Sequence, residues 1–334
     1  MSKSSPTIRD VAKHAGFSHQ TVSRVINHSE EVAPETRERV EAAIAELGYL
    51  PNAIARSMAS GQTHTLACIS PNLTDYTFAS IIEGAEIEAR RWGYFLLSSS
   101  ARDAESFKSL VDELVGHGRV DGLLVMNPYA DQRYQLIPEG FPVAFVGARS
   151  RGENICSVCL DDEAVAYRAT KYLIECGHRQ IGMITGPMAE DCCMDRKVGF
   201  QKAMAEHGLP FLPELIIEGD WGASSGQAAL VQISANNQLP DAIFVQNDRM
   251  AMGVLRAARD LKISVPNQLS IIGIDDMPLT QHYDPPLTTM RQDMPRLGQE
   301  AARILIQALA GAQKQECQLK LPAELVVRQS VRQR

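Results

Sequence analysis

At 334 residues the chain is too long for one small module and has room for two or three compact units. Its 45% hydrophobic and 22% charged composition is that of an ordinary globular protein. No apolar run approaches the roughly 18 residues that span a bilayer, and the polar opening Met1–Pro6 lacks the apolar core of a secretory signal. A cytoplasmic protein without a membrane partner is therefore expected.

The formal charge of −7 is unevenly placed. Residues 1–29 carry Lys3, Arg9, Lys13 and Arg24 against Asp10 alone, a net of +3, which leaves −10 on the remainder. A basic tip on an acidic body suits a protein that offers phosphates one small face.

In chain order, Ile8, Val11, Ala12 and Ala15 form the apolar stripe of a first helix, which Gly16 interrupts. Ser18 suits the cap of a second helix carrying Val22, Val25 and Ile26 inward. A third opens at Pro34, places Val40, Ala43, Ile44 and Leu47 at helical spacing, and stops at Gly48. Three short helices with a glycine turn between the first two make a helix-turn-helix. Leu50-Pro51-Asn52 breaks the pattern. Residues 53–60 then read as a conditional helix, too short to be stable alone.

From Thr63 apolar strands alternate with amphipathic helices. Strands are predicted at Thr65–Ser70, Tyr94–Ser98, Gly122–Met126, Val143–Val146, Ile181–Thr185, Ala242–Val245 and Leu269–Ile274. Helices are predicted at Phe78–Trp92, Ala104–His117, Ala164–Glu175, Arg196–His207, Gly226–Asn236 and Arg249–Leu261. Such alternation implies parallel sheets covered on both faces, and its break near Asp161-Asp162 divides them into two doubly wound lobes. A late helix (Gln299–Ala310) and a terminal strand follow Pro295. Ligands in such folds bind beyond the carboxyl ends of the strands, here between the lobes.

The second helix displays Ser18, His19, Gln20, Thr21, Ser23, Arg24 and Asn27. In a helix-turn-helix the early residues of that helix enter the major groove. Gln20 suits adenine and Arg24 guanine, both bidentately, with His19 as a further base or phosphate contact. The shorter side chains suit phosphates. On the short linker, Ala55 and Met58 are apolar and of a kind that wedges into a minor groove.

Catalytic patterns are missing: there is no GxSxG, HExxH or phosphate-binding loop, so an enzyme is not expected. The paired carboxylates Asp161-Asp162 and Asp275-Asp276 each follow a strand, a place suited to accepting hydrogen bonds from ligand hydroxyls. The spacing Cys156-Ser-Val-Cys159 lacks the partners of a metal site, and Cys192-Cys193 is read as a vicinal pair in a polar loop. No cofactor and no metal are expected.

The run Thr7-Ile-Arg-Asp-Val-Ala-Lys-His-Ala-Gly-Phe-Ser-His-Gln-Thr-Val-Ser-Arg-Val-Ile-Asn27 resembles the opening signature of the lac-repressor/gal-repressor family of transcription regulators. The likeness continues through Gly48-Tyr-Leu-Pro-Asn52, Gly177-His-Arg-Gln-Ile181, Asn247-Asp-Arg-Met-Ala251, Ile272-Gly-Ile-Asp-Asp276 and Pro286-Leu-Thr-Thr-Met-Arg-Gln292. It covers nearly the whole chain in collinear order.

The resemblance implies a DNA-binding domain at 1–50, a hinge at 51–61 and an effector-binding and dimerisation core at 62–334. Within the core, lobe 1 spans about 62–160 and 292–322, and lobe 2 about 161–291 and 323–330. It implies a homodimer on a pseudo-palindromic operator, each helix-turn-helix (Thr7 included) on one half-site and the hinge residues Asn52, Ala55 and Met58 at the central minor groove. Effector contacts fall by similarity on Arg196, Asn247 and Asp275, with Trp221 as a stacking or lid surface. Asp75, Phe78 and Met294 join from the first lobe. Gly147 stands where members often carry a polar contact, and Arg149 is expected to replace it. The expected function is a repressor controlled by a sugar or glycoside. The alternatives are a corepressor-type regulator responding to a nucleobase or nucleoside, and a solute-binding protein.

Overall fold

The computed structural model describes residues 6–26, 31–50, 61–149, 155–235, 239–311 and 318–334. The chain divides into an N-terminal unit up to Thr63 and a core unit from His64.

The N-terminal unit is helical. Helix α1 (Ile8–Ala15) opens with a reciprocal cap, in which the Asp10 amide donates to the Thr7 hydroxyl and the Thr7 amide donates to the Asp10 carboxylate. It ends at Gly16, whose left-handed backbone (φ 75°) turns the chain sharply. Helix α2 (His19–Ile26) starts behind Ser18, whose hydroxyl accepts from the Thr21 amide at 3.1 Å. Helix α3 (Pro34–Leu47) begins at a proline already set to helical φ and has no side-chain cap, as Ala33 implies. Val11, Ala12, Ala15, Val22, Val25, Val40, Ala43 and Tyr49 close one small core. Arg39 braces the turn, with its guanidinium 4.8 Å from the Phe17 ring centroid and a hydrogen bond to the Ala15 carbonyl.

The core unit holds two six-stranded sheets. The first runs in the order β11-β5-β4-β3-β1-β2, from β1 (Thr65–Ser70), β2 (Phe95–Ser100), β3 (Gly122–Met126), β4 (Val143–Val146), β5 (Cys156–Leu160) and β11 (Gln318–Leu321), all parallel. The second runs β12-β10-β9-β8-β6-β7, from β6 (Ile181–Thr185), β7 (Ile216–Glu218), β8 (Ala242–Val245), β9 (Ser270–Asp275), β10 (Thr288–Arg291) and β12 (Glu324–Val326), with β12 alone antiparallel. Strands β3, β6, β8 and β9 are buried throughout, and β1 from Leu66 onward, as the continuous apolar runs require of sheets covered on both sides.

Helices α4 (Tyr76–Arg91) and α10 (Met294–Leu309) cover one face of the first sheet, and α5 (Ala104–Val111) covers the other. On the second sheet, α6 (Asp162–Glu175) and α7 (Asp191–Glu206) oppose α8 (Ala223–Ala235) and α9 (Asp248–Asp260). Helices α4 and α10 meet backbone to backbone. A Cβ on Gly84 would lie 1.9 Å from the Pro295 carbonyl oxygen, and one on Gly298 would lie 1.9 Å from that of Ile81.

Several boundaries differ from the sequence reading for local reasons. Helix α7 starts at Asp191, well before Arg196, because Glu190 is extended and an aspartate in the first turn favours the helix dipole. Cys192 and Cys193 therefore sit in a helix and not in a polar loop. Helix α10 starts at Met294, since Pro295 in its first turn forfeits no hydrogen bond and the Asp293 carboxylate caps the Arg296 amide. The continuous helix read at Ala104–His117 changes to a π-turn at Asp112–Gly116. The single terminal strand is two, one for each sheet. Among the described residues no helix is long and apolar enough to cross a membrane.

Candidate functional site

On the N-terminal unit, helix α2 turns Val22 and Val25 inward, which leaves His19, Gln20 and Arg24 exposed on the opposite side. Arg24 is held only loosely, 3.9 Å from Glu31. Ser18 and Thr21 share a hydroxyl contact at 2.9 Å, and Thr7 is engaged in its cap, so these three are structural as well as available to phosphate. Ser23 is partly buried on the same helix. Asn27, Asn52, Ala55 and Met58 lie outside the described residues.

In the core unit a cavity opens where the carboxyl ends of both sheets face each other, the place expected for a ligand in a doubly wound fold. Of the eight residues assigned to it from sequence, seven line it: Asp75, Phe78, Arg196, Trp221, Asn247, Asp275 and Met294. Arg149 does not. It pairs with Asp195 at 3.2 Å on a half-exposed surface, so Gly147 stays an uncompensated small residue in the wall.

Arg196 is buried and fixed twice over. Its Nε donates to Asp162 at 2.7 Å and its Nη1 to the Gln246 carbonyl at 2.6 Å. Burial is the largest influence and opposes its charge, but the surrounding acidic groups, Asp162 foremost and Asp275 among them, together outweigh it and keep the guanidinium protonated. Asn247 caps α9 by accepting from the Met250 amide and donates to the Trp221 carbonyl. That carbonyl also takes the Arg249 Nε, and Arg249 reaches across to Asp75, the cap of α4. The Trp221 indole lies so close to Gly186 that a Cβ there would sit 2.4 Å from the ring. Its Nε1 donates to Glu190 at 3.0 Å, and Arg196 lies 5.7 Å from the ring centroid. The ring is held from three sides.

Asp275 is buried and accepts from Gln292 at 2.7 Å. Burial raises its carboxyl to about 7, with Arg196 opposing and Asp75 reinforcing the rise. Asn127, Trp221 and Asp275, all lining the cavity, have positive φ (49°, 69° and 123°). Such backbones cost on the order of 1–3 kcal/mol each in non-glycine residues and concentrate at functional sites.

Sequence reasoning missed Glu190, Asn127 and Gln292 as cavity walls, and placed Asp162 at the cleft only as one of a carboxylate pair. Asp162 and Gln292 had a signal. Each stands in a stretch already singled out, and in each carboxylate pair one member faces the cavity. Asp162 holds Arg196 while Asp161 meets Lys320, and Asp275 faces inward while Asp276 binds Arg291 and Arg328. Glu190 follows no period or motif. Cys192 lines the cavity, but its hydrogen bond with Cys193 and burial push its thiol well up, the opposite of an activated thiolate. Burial likewise lifts Cys159 to about 11.

A helix-turn-helix joined in one chain to a two-lobed α/β core is the architecture of a DNA-binding transcription regulator. Residues 7–52 match the model of bacterial regulatory proteins of the lacI family, and residues 170–331 match the periplasmic binding protein-like domain. The chain is 37% identical, over 98% of both chains, to the HTH-type transcriptional repressor PurR of Haemophilus influenzae (strain PittEE). It is 34% identical to catabolite control protein A of Priestia megaterium, over 98% of this chain and 99% of that one. Among solved structures, the lac repressor dimer bound to operator and the anti-inducer ONPF superposes with a TM-score of 0.89 at 32% identity, over 98% of this chain and 99% of that one. The CelR–cellobiose complex gives 0.76 at 32% identity, over 97% and 99%. The chain belongs to the lacI family of bacterial regulatory proteins.

Proposed function

We propose that this protein is a repressor that binds a pseudo-palindromic operator as a homodimer and changes its operator affinity when a sugar or glycoside occupies the cleft. The observation that carries the ligand class is the Trp221 face beside Arg196, Asn247 and Asp275. An aromatic plane covers the apolar face of a sugar ring, while an arginine, an amide and a carboxylate share its hydroxyls. The solved relative bound to cellobiose supports this reading. His19, Gln20 and Arg24 are the proposed base readers. The protein is proposed to act in the cytoplasm, where its operator is.

Dimerisation is supported by the edge strand β2, where Phe95 is 70% exposed, with Trp92 and Leu97 also exposed beside it. An uncovered apolar sheet edge calls for a partner. Closure of the lobes on an effector is proposed to alter the spacing across that dimer and so the hinge, a two-state coupling between distant sites.

A nucleobase effector is the second reading, favoured by Phe78 and Trp221 both facing the cavity, since two aromatic walls also suit a flat base. Operator binding followed by fluorescence anisotropy, with a panel of hexoses, glycosides and nucleobases, separates the two. Release by a carbohydrate supports the first reading, and a response to bases alone replaces it with the second. A solute-binding protein would show no salt-dependent affinity for DNA.

A further inference from the structure

Four carboxylates line the cleft cavity (Asp75, Asp162, Glu190 and Asp275) and Arg196 is the one cation among the described lining residues. Two of the four are neutralised. Asp162 is paired with Arg196 at 2.7 Å, and Asp75 with Arg249, which stands outside the lining, at 2.5 Å. Among the described residues Glu190 and Asp275 have no cation at ion-pair distance. Their side-chain partners are neutral donors: Trp221 Nε1, Asn127 Nδ2 and, at 4.0 Å, Cys192 Sγ for Glu190, and Gln292 Nε2 for Asp275. Glu190 sits at the N-terminus of α7, below Trp221, and its second oxygen reaches Asn127, which follows β3 of the other sheet. It therefore contacts both walls of the cleft.

The electrostatic consequence is one-sided. Two carboxylates withdrawn from water with no direct ion-pair partner among the described residues, and with Arg196 acting on them only at longer range, favour anything that brings positive charge or hydroxyl donors, and oppose anything that brings negative charge. Burial raises both carboxyls, so each holds its proton more tightly than an exposed acid. Arg196 adds little net attraction for an incoming anion, because Asp162 already balances its charge.

We propose that Glu190, acting with Asp275, is a specificity-determining residue that makes the cleft select donor-rich neutral or amine-bearing ligands, aminosugars among them, and exclude anionic ones such as sugar phosphates. This rests on the cleft being the effector site. Aminosugars and phosphorylated sugars share a ring and differ in charge, so the ring identity need not be known beforehand.

The test is calorimetric titration of the full chain at neutral pH with matched sets. Each set holds a hexose, its 2-amino counterpart and its 6-phosphate, for glucose, galactose and mannose. Hypoxanthine with its ribonucleotide forms a fourth set. In whichever set binds, the amino member is expected to bind at least as tightly as the neutral one, and the phosphorylated member at least about tenfold more weakly, a difference of about 1.4 kcal/mol. Glu190→Gln should shrink the gap between neutral and phosphorylated members, and Asp275→Asn should do so independently if the first variant fails to fold. Melting without ligand reports folding in both. A phosphorylated member that binds as tightly as its neutral parent overturns the proposal, as does a gap unchanged in a folded variant. Binding confined to the hypoxanthine set removes the carbohydrate reading, and the charge selectivity is then decided on the base against its nucleotide. No binding by any neutral or amino member overturns the proposal.

Discussion

Asp275 shows how a single side chain carries a measurable signature. Its carboxyl is raised to about 7 by burial, whereas in an unfolded chain it titrates near 3.9 or so. Between those values the folded protein holds a proton that the unfolded chain has released. The contribution is therefore complete below about pH 4 and is lost as pH rises towards 7. Asp275→Asn removes the titration, so its melting temperature relative to wild type should improve between about pH 5 and pH 8. A pH-independent difference would contradict the burial of an unpaired carboxyl. On helix α2, Gln20→Ala or Arg24→Ala should each remove about 1–3 kcal/mol of discrimination at the base it reads. Binding selection from randomised duplexes checks this, and an unchanged preferred sequence from either variant would refute the groove assignment. Arg149 gives the opposite lesson. Nothing in its neighbourhood in sequence foretold Asp195, which draws it away from the cavity.

At the scale of elements, the contact between α4 and α10 depends on two glycines. Gly84→Ala or Gly298→Ala places a methyl group against a carbonyl of the facing helix, and forced overpacking of this kind costs about 1–3 kcal/mol. Chemical denaturation of the core should show that loss, and an unperturbed midpoint would mean the helices part freely. Gly186→Ala should instead displace Trp221 and weaken ligand binding more than stability, since the clash is with a side chain at the cavity edge.

These elements were legible to different degrees. The strands Thr65–Ser70, Gly122–Met126, Val143–Val146, Ile181–Thr185 and Ala242–Val245 have the bounds read from their apolar runs, because burial on both faces leaves an unbroken signature. Helix starts were harder. Asp191 and Met294 begin helices through dipole and proline effects that hydrophobic periodicity does not register. Within the cavity, Arg196, Asn247 and Asp275 are legible through the resemblance to the lac-repressor/gal-repressor family, and Asp275 also through its place after a strand. Glu190 and Asn127 enter through loop geometry, at an extended cap and a left-handed residue, which no spacing rule reveals.

For the whole molecule, charge and function divide along the chain. The first 29 residues are net positive and the remainder strongly negative, so long-range attraction to DNA comes chiefly from the first two helices. Binding to duplex DNA should weaken steeply with salt, with log K falling by about 0.9 per log unit of salt for each phosphate contacted. In the proposed mechanism that DNA-binding unit is coupled to the cleft. The coupling is read by measuring the affinity of the full chain for its selected operator at fixed salt, with and without a saturating cleft ligand identified by calorimetry. A ligand-dependent change of about fivefold or more is expected, the range of ordinary allosteric coupling. An operator affinity indifferent to a ligand that demonstrably fills the cleft would contradict it.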